Sequence, residues 1–219
     1  QTESLRTKSS KCRIYTWVLG VNGAEEKERK LLKVYKMIYK FSETDEELKQ
    51  ILQLQAQNHK DSVDEDTKAK QGFVTVKHSF SEIKALNNIE KHTILKVDNQ
   101  VEAYVLAMTK KSKNLIPILE PMFKIFDEIF YKNKKISDYN YMVCGQVCVG
   151  EKVRGKGVFD EIYQFYRENL EKDYDFCITE IAVNNTRSIR AHERIGFKTI
   201  HRYTDVFGID WLVVLWDWR

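Results

Sequence analysis

The chain has few residues that interrupt regular structure and no long apolar segment. Its 219 residues include only two prolines, Pro117 and Pro121, a composition that argues against long disordered linkers. No apolar run approaches the roughly 20 residues that a membrane helix needs, and the first residues contain no apolar core of a signal peptide. Because the sequence begins with Gln1 rather than Met, we expect a terminus that was truncated, processed or added to. We expect a soluble, cytoplasmic protein with one main domain and no membrane partner.

The four cysteines lack the spacing of a metal site or a disulfide framework. Cys12, Cys144, Cys148 and Cys177 form no CxxC pair, so no zinc-type pattern is present. Cys144 and Cys148 are four residues apart in a predicted strand, which separates their Cα atoms by roughly 13 Å. A disulfide requires less than about 7 Å. The sequence therefore predicts no metal, and it predicts reduced thiols that lie in the core or face a cofactor, as in a reducing compartment.

The positive charge of the chain is confined to its N-terminal end. Residues 1–36 hold nine Lys/Arg and four Asp/Glu, whereas the remainder holds 27 basic and 28 acidic residues. The main body therefore offers no broad basic surface, and we expect no nucleic-acid partner. An adaptor that binds nucleic acid through the basic N-terminal segment is the alternative that this distribution leaves open.

We expect residues 1–36 to be a basic N-terminal extension and residues 37–219 to form the functional domain. In the extension, residues 14–20 have the pattern of a strand and residues 24–36 that of a charged helix. From Met37 the pattern is cleaner. The strand MIYKF is followed by a helix that begins with a Thr44-x-x-Glu47 capping box and continues with apolar residues at helical spacing.

The rest of the chain alternates between strand and helix patterns after a polar loop over residues 58–72. The predicted strands are 73–78, two runs on either side of Asp98-Asn99-Gln100, then 141–149, 176–184, 197–203 and 209–218. The predicted helices are 79–88, 119–131, 159–170 and 185–196. Hairpin-connected strands mixed with crossover helices favour an α/β fold with a mixed sheet and helices on both faces. The final strand, 209–218, is typical of sheet packing or of the edge of a homodimer.

Residues 144–159, CGQVCVGEKVRGKGVF, have the pattern of an anion site. A short alternating run containing Val147 and Val149 leads into the loop Arg154-Gly155-Lys156-Gly157, and an amphipathic helix follows. The free N–H groups of the first helical turn and the helix dipole favour an anion at that end. The two glycines allow close approach or positive φ. The loop lacks GxxxxGK[ST] and GxGxxG, so the sequence predicts a different phosphorylated cofactor, with a plain surface turn as the alternative.

A second motif lies about 30 residues further on, in NTRSIRAHERIGF (185–197). Together with VCVGEKVRGKGVF, it resembles the GCN5-related N-acetyltransferase (GNAT) family, which transfers acetyl from acetyl-CoA to an amine. Arg154 and Gly157 match the first and central residues of the family's loop pattern [QR]-x-x-G-x-[GA], whereas Phe159 stands where Gly or Ala is usual. Asn185, Ser188, Gly196 and Phe197 match the pattern N-x-x-[AS]-x-x-x-Y-x-x-x-G-F, and His192 replaces its tyrosine.

The resemblance implies a mostly antiparallel GNAT-like sheet that splays between strands 141–149 and 176–184. The pantetheine of acetyl-CoA would lie in that gap, and the attacking group would be a primary amine of a small molecule or peptide. The cofactor-binding residues that it implies are Val147, Cys148, Val149, Arg154, Gly155, Lys156, Gly157, Val158, Phe159, Asn185 and Ser188. An acyl-CoA-binding module without turnover is the alternative, because Phe159 and the missing tyrosine depart from the pattern.

Two residues are candidates for catalysis. His192 stands at the place of a tyrosine that donates a proton to the sulfur in many family members; an acid role, a cofactor contact and a structural role all remain open for it. Glu180 is a carboxylate inside the apolar run CITEIAV, which needs either a catalytic task or a cationic partner. We take it as the first candidate for the base. Tyr104, Tyr141 and Glu102 are weaker candidates.

Overall fold

The protein is described by a computed structural model that covers residues 7–9, 12–19, 33–64 and 72–219. Within these ranges the chain forms one large sheet, a small hairpin and five α-helices. The helices are α1 Asp45–Gln57, α2 Phe80–Ile89, α3 Glu120–Glu128, α4 Val158–Leu170 and α5 Thr186–Ile195. The strands are β1 Thr7–Ser9, β2 Cys12–Leu19, β3 Lys33–Phe41, β4 Thr93–Val97, β5 Gln100–Thr109, β6 Phe130–Tyr131, β7 Lys134–Lys135, β8 Tyr141–Val149, β9 Phe176–Ala182, β10 Lys198–Thr204 and β11 Asp210–Asp217.

The sheet is mixed and mostly antiparallel. Its nine strands lie in the order β1-β2-β3-β4-β5-β8-β9-β11-β10, and β8–β9 is the one parallel pair within it. The parallel step follows from the connection, because α4 crosses over between β8 and β9. β11 lies between β9 and β10, so the suggestion that the final strand is a dimer edge is wrong. The homodimer itself stays a prediction.

Helices cover both faces of the sheet. On one face, α4 packs with Ile162, Tyr163 and Tyr166 into a core that also takes in Ile189 of α5. On the other face, α1, α2 and α3 contribute apolar residues to two further clusters. The periodic apolar stripes of the helices thus meet the alternating faces of the strands. The predicted fold class is confirmed.

Several element boundaries agree with local signals in the sequence. Thr44 caps α1 and forms the predicted capping box with Glu47, and Ser79 does the same for α2 with Glu82. Asp98 and Asn99 have φ values of 47° and 68°, the conformation of a tight hairpin turn between β4 and β5. Each of these features depends on residues that are close in sequence.

Two predicted elements are corrected by the structure. The helix expected over 24–36 is wrong for residues 33–36, which belong to β3 and pair with β2; residues 24–32 lie outside the described residues. The strand expected over 73–78 is wrong too, since only Val74 forms a single bridge, with His59. The backbone of this segment is hydrogen-bonded mainly by side chains and not by a neighbouring strand. Alternation of apolar and polar residues alone does not distinguish an extended segment that pairs in a sheet from one whose backbone is hydrogen-bonded by side chains.

The proposed domain boundary falls inside an element. β3 spans Lys33–Phe41 and pairs along its length with β2, so residues on both sides of Met37 share one strand. Arg13 of β2 also forms ion pairs with Glu161 and Glu168 of α4. Independent folding of residues 37–219 stays a prediction.

All four cysteines are free thiols. Cys144 and Cys177 are buried in the core, one of the two placements expected for reduced thiols, and burial raises the pKa of Cys144 to about 12. In the described ranges, no helix combines the length and the apolar character needed to cross a membrane.

Candidate functional site

A gap opens in the middle of the sheet where β8 and β9 separate. Their parallel pairing is limited to Tyr141–Val143 with Phe176–Ile178. Beyond it, the Thr179 hydroxyl donates to the Cys144 carbonyl over 2.7 Å, and no further ladder pair joins the two strands in the described part of the chain. The splay that the resemblance implies is therefore present.

A register shift on the other side of β8 accompanies the gap. Ala107 of β5 pairs with Cys144 but Leu106 pairs with Gln146, so Gly145 is the extra residue of a bulge. A Cβ at Gly145 would lie 2.1 Å from the Sδ atom of Met108. Any side chain at this bend of the strand would therefore require the buried Met108 to move.

The backbone of β8 beyond the bulge faces the gap. The Gly150 N–H donates to the Glu102 carbonyl on β5 over 2.7 Å. Because successive residues of a strand direct their polar groups to opposite sides, Val147 and Val149 direct theirs away from β5. The Val149 carbonyl accepts from Arg154 Nε over 2.9 Å. Val147 therefore presents a peptide N–H and carbonyl to the gap.

The loop after β8 leads into α4 with a left-handed bend. Gly155 and Gly157 have φ values of 71° and 76°, which glycine adopts without strain, and a Cβ at either position would meet nothing within 4 Å. Gly157 is the N-cap of α4 and provides no side-chain cap. The first amides of α4, including those of Val158 and Phe159, thus remain directed outward at the positive end of the helix.

The gap and the loop open into one cleft of about 720 Å³. Of the predicted cofactor residues, all but Lys156 line it; the Lys156 ammonium donates to the Lys152 carbonyl instead. The lining residues are Asn58, Gly72, Phe73, Val74, Val147, Cys148, Val149, Glu151, Val153, Arg154, Gly155, Gly157, Val158, Phe159, Asp160, Asn185, Arg187, Ser188, Ala191 and Arg194. The structure thus brings together residues from both sequence motifs.

Residues 72–78, which we call the strap, contribute Gly72, Phe73 and Val74 to the wall of the cleft, a contribution that the sequence did not reveal. The Gln146 side chain donates to the Val76 carbonyl over 3.0 Å, and Gln55 accepts from the His78 N–H over 2.8 Å. Asn185 donates to the Phe73 carbonyl over 3.3 Å. The strap is therefore attached mainly by side chains from α1, β8 and the start of α5.

Asn58 joins the strap to the loop. It ends α1, its backbone carbonyl accepts from the Val74 N–H over 3.1 Å, and its side-chain oxygen accepts from the Arg154 guanidinium. Arg154, expected to supply charge to an anion, is thus also a link between loop and strap. The sequence placed Asn58 in a polar loop and contained no signal for this contact.

Asn185 both caps α5 and lines the cleft. Its side-chain oxygen accepts from the Ser188 N–H over 3.3 Å, which makes it the N-cap of α5, and it lines the cleft. Nearby, Arg194 of α5 forms a two-point ion pair with Asp160 in the first turn of α4. That pair offsets the negative charge of Asp160 beside the helix end.

His192 is buried beside the cleft and does not line it. Its Nδ1 lies 2.8 Å from the Ser188 carbonyl, which can only accept, so Nδ1 carries the proton. Nε2 then accepts from the Tyr163 hydroxyl over 2.8 Å. Burial lowers the pKa of His192 to about 4. Both ring nitrogens are satisfied within the protein, an arrangement that favours the structural role among the three that the sequence left open.

Phe159 lies against His192. Its ring lines the cleft and packs edge-on against the imidazole with centroids 5.1 Å apart. The two departures from the family pattern are therefore neighbours. A bulky ring at one position packs against the smaller imidazole at the other.

Glu180 lies on the opposite face of the sheet from α4, two residues beyond the last pair of β9 with β8. It does not line the cleft. Its partner is the Tyr203 hydroxyl, which donates to Oε2; in the part of the chain that the structure describes, it forms no ion pair. Burial raises the pKa of Glu180 to about 7, against the effect of the Tyr203 hydrogen bond. The cationic partner considered from the sequence is therefore not found among the described residues.

The three weaker candidates have other partners. The Tyr104 hydroxyl donates to Gln146 over 2.5 Å, Tyr141 stacks on Phe176, and Glu102 is paired with Lys152 over 2.9 Å. Tyr104 and Glu102 thus have polar partners, whereas the buried Tyr141 hydroxyl has no hydrogen-bond partner among the described residues.

The fold is that of the GNAT acetyltransferases, as comparison with solved structures shows. A chain of the NatC complex bound to Gag peptide and CoA matches with a TM-score of 0.56 and 13% identity over 83% of this chain and 98% of that chain. A GNAT-family acetyltransferase of Streptococcus agalactiae matches with a TM-score of 0.58 and 11% identity, over 83% and 95%. The protein YncA of Salmonella typhimurium, solved with acetyl-CoA, matches with a TM-score of 0.54 and 14% identity, over 84% and 94%.

The sequence itself matches none of the known family models and is not significantly similar to any curated protein. At sequence identities of 11–14%, the similarity to these structures shows a shared fold and no more. Function rests on the geometry of the cleft and on the two motifs.

Proposed function

We propose that this protein is an acetyl-CoA-dependent N-acetyltransferase that transfers acetyl to a primary amine by direct attack. The observation that carries the proposal is the gap between β8 and β9, which opens at one end onto the glycine loop and the uncapped start of α4. Neighbours of the same fold have been solved with CoA or acetyl-CoA.

The residues of the cleft fit this cofactor. Outward amides at the start of α4 and the open space at Gly155 and Gly157 suit a pyrophosphate. The Val147 peptide group, directed into the gap, suits an extended chain with amides. Arg187 lines the cleft and is exposed, so it is available for a further phosphate. Acetyl-CoA would supply a thioester whose carbonyl carbon accepts the amine nitrogen and whose sulfur leaves as a thiolate.

The chain's own contribution to the reaction is orientation and proton transfer. An N–H of β8 at the gap would donate to the carbonyl oxygen as its charge grows, as in an oxyanion hole. Glu180 would accept the proton that the amine loses when its nitrogen bonds to the acetyl carbon. The scheme requires an acetyl group held in the gap between β8 and β9 to extend to the face of the sheet on which Glu180 lies. A carboxyl with a pKa of about 7 is suited to such a role near neutral pH.

His192 has no part in this scheme. A neutral imidazole with both nitrogens engaged lacks a free proton for the sulfur. Because a thiol with a pKa of about 8.5 has a stable thiolate, CoA can leave without an obligatory acid. The thiolate then takes its proton from solvent.

The test is release of free thiol from acetyl-CoA in the presence of a panel of primary amines that includes peptide N-termini and polyamines. Thermal unfolding with CoA is measured in parallel. We expect CoA to raise the melting temperature, at least one amine to accelerate thiol release, and Glu180→Gln to lower kcat/KM by 10²-fold or more while CoA still stabilises the variant.

The rival function, an acyl-CoA-binding module, gives a different pattern. Stabilisation by CoA with no thiol release for any amine would support the rival. No stabilisation by CoA would overturn both. Glu128→Gln is the matched control, because Glu128 is an exposed carboxylate paired with Lys135 on the surface; its kcat/KM should equal that of the wild type.

A further inference from the structure

Tyr203 reaches Glu180 across the strand between them. Glu180 on β9 is opposite Val213 of β11, and Val213 in turn is opposite His201 of β10. Tyr203 is two residues from His201 on the same strand, and the two rings stack with centroids 6.4 Å apart. From this diagonal position the Tyr203 hydroxyl donates to Oε2 of Glu180. Cross-strand diagonals of this kind are within reach of an aromatic side chain.

The other charged group near Glu180 is also held in place. Asp205 follows β10, and its carboxylate accepts from the Trp211 indole over 2.9 Å and from two backbone N–H groups of its own turn. Its charge raises the pKa of Glu180, whereas the Tyr203 hydrogen bond lowers it. On β11 the residue facing Glu180 is the apolar Val213. Tyr203 is therefore the group in direct contact that favours the ionised form of Glu180.

We propose that Tyr203 is a positioning residue that holds Oε2 of Glu180, so that Oε1 is the oxygen that receives the proton of the acceptor amine. This inference rests on the proposed function. The hydroxyl keeps its own proton throughout, because burial and the neighbouring carboxylate raise the pKa of Tyr203. Its task is to fix the carboxylate and to set the pH at which the base becomes active.

The experiment is a pH profile of kcat/KM for the Tyr203→Phe variant with acetyl-CoA and the best amine of the panel. Loss of a hydrogen bond to a carboxylate disfavours its ionised form. We expect the acid limb of the profile to move upward by about one pH unit, with near-recovery of the rate above the new limb. At pH values below the limb, kcat/KM of Tyr203→Phe should be about tenfold lower than that of the wild type. Replacement of Tyr203 by 3-fluorotyrosine, a more acidic donor, should move the limb downward.

Tyr174→Phe is the matched control. The Tyr174 hydroxyl also donates to a carboxylate, Glu90, over 2.8 Å, at a distance from the cleft, so its removal should leave the limb in place. If Tyr203→Phe lowers the rate equally at every pH, or if both tyrosine variants move the limb alike, the proposal is overturned.

A direct titration separates this proposal from the proposed function. The pKa of Glu180 is measured by carbon NMR of ¹³C-labelled glutamate, assigned with Glu180→Gln, and needs no acceptor. An upward shift in Tyr203→Phe supports the Tyr203 contact even where no amine is acetylated, and an unchanged value contradicts it. If the shift occurs but Glu180→Gln retains the acid limb, Glu180 is not the base and the proposed mechanism fails instead.

Discussion

At the scale of single residues, the bend of β8 beside the cleft involves a glycine, Gly145, whose missing Cβ leaves room for a neighbouring side chain. Gly145 has no Cβ, and Met108 occupies the space where one would be. Met108 is fully buried in the cluster beneath α3, so it has little room to move. The bulge in β8 is therefore closely packed against Met108.

Gly145→Ala should lower the free energy of unfolding by about 1–3 kcal/mol, because the added methyl overpacks a filled site. Met108→Ala should lower it by about 2–5 kcal/mol through the cavity it leaves. The double variant should be more stable than the sum of the two losses predicts, by at least about 0.5 kcal/mol. Urea unfolding of the four proteins measures this coupling, and strict additivity would show that Met108 is not the limiting contact.

Contacts between single residues also explain why Phe159 and His192, the two departures from the family pattern, are compatible. His192 is linked to Ser188 and Tyr163 through its two nitrogens and is packed by Phe159. A residue that the motif alone marks as a catalytic candidate thus becomes part of the core under the cleft.

At the scale of elements, the strap depends on β8 for its position. Gln146 donates to the Val76 carbonyl, and its oxygen accepts from Gln55 and from Tyr104. All three contacts are buried or partly buried. The segment therefore stays in place through a polar network in which each member depends on the others.

Gln146→Leu should release the strap. The variant leaves the Gln55 amide and the Tyr104 hydroxyl without this acceptor, and we expect a loss of about 1–3 kcal/mol in the free energy of unfolding. Hydrogen exchange at the amides of Val74 and His78, both hydrogen-bonded in the wild type, should become faster. Gln164→Leu is the control, since Gln164 is exposed on α4 and its side chain bonds Glu168 on the same helix. An equal acceleration of exchange at Val74 and His78 in this control would contradict the assignment.

At the scale of the whole molecule, two buried histidines make stability depend on pH. Burial lowers the pKa of His92 and of His192 to about 4 each, from an ordinary value of 6.5. The unfolded chain therefore binds protons that the folded chain does not between pH 6.5 and 4. The stabilisation is complete above pH 6.5 and is lost as the pH falls through 4. Glu180 acts in the opposite direction, because its folded pKa is raised to about 7.

Burial also lowers the pKa of His78. Since three histidines oppose one glutamate, the free energy of unfolding should fall between pH 6.5 and 4.5, by at most about 3 kcal/mol for each of His92 and His192. Chemical denaturation at a series of pH values measures the slope. His92→Gln should be less stable at pH 7, because the bonds to Ile83 and Ala107 are disturbed, yet show a shallower slope. His201→Gln, at an exposed position, should retain the wild-type slope. Equal slopes in all three proteins would refute the assignment.

The parts that could be predicted from the sequence are those that local residues determine. Thr44 and Glu47, or Asp98 and Asn99, are near neighbours whose chemistry defines a cap or a turn within a few residues. The two motifs likewise placed the loop and α5, because each is a continuous segment. The strap was not predictable in this way, since Gln55, Gln146 and Asn185 reach it from distant elements.

By itself the sequence determined the five helices of the described residues, the hairpin, the glycine loop and the family likeness of the two motifs, because these depend on short-range periodicity and on backbone preferences of single residues. Only the tertiary structure decided the roles within the site. Burial and packing made His192 a neutral core residue, engaged Arg154 with Asn58, and gave Glu180 a tyrosine partner instead of a cation. Those outcomes depend on the desolvation and on the contacts that arise when residues distant in sequence come together.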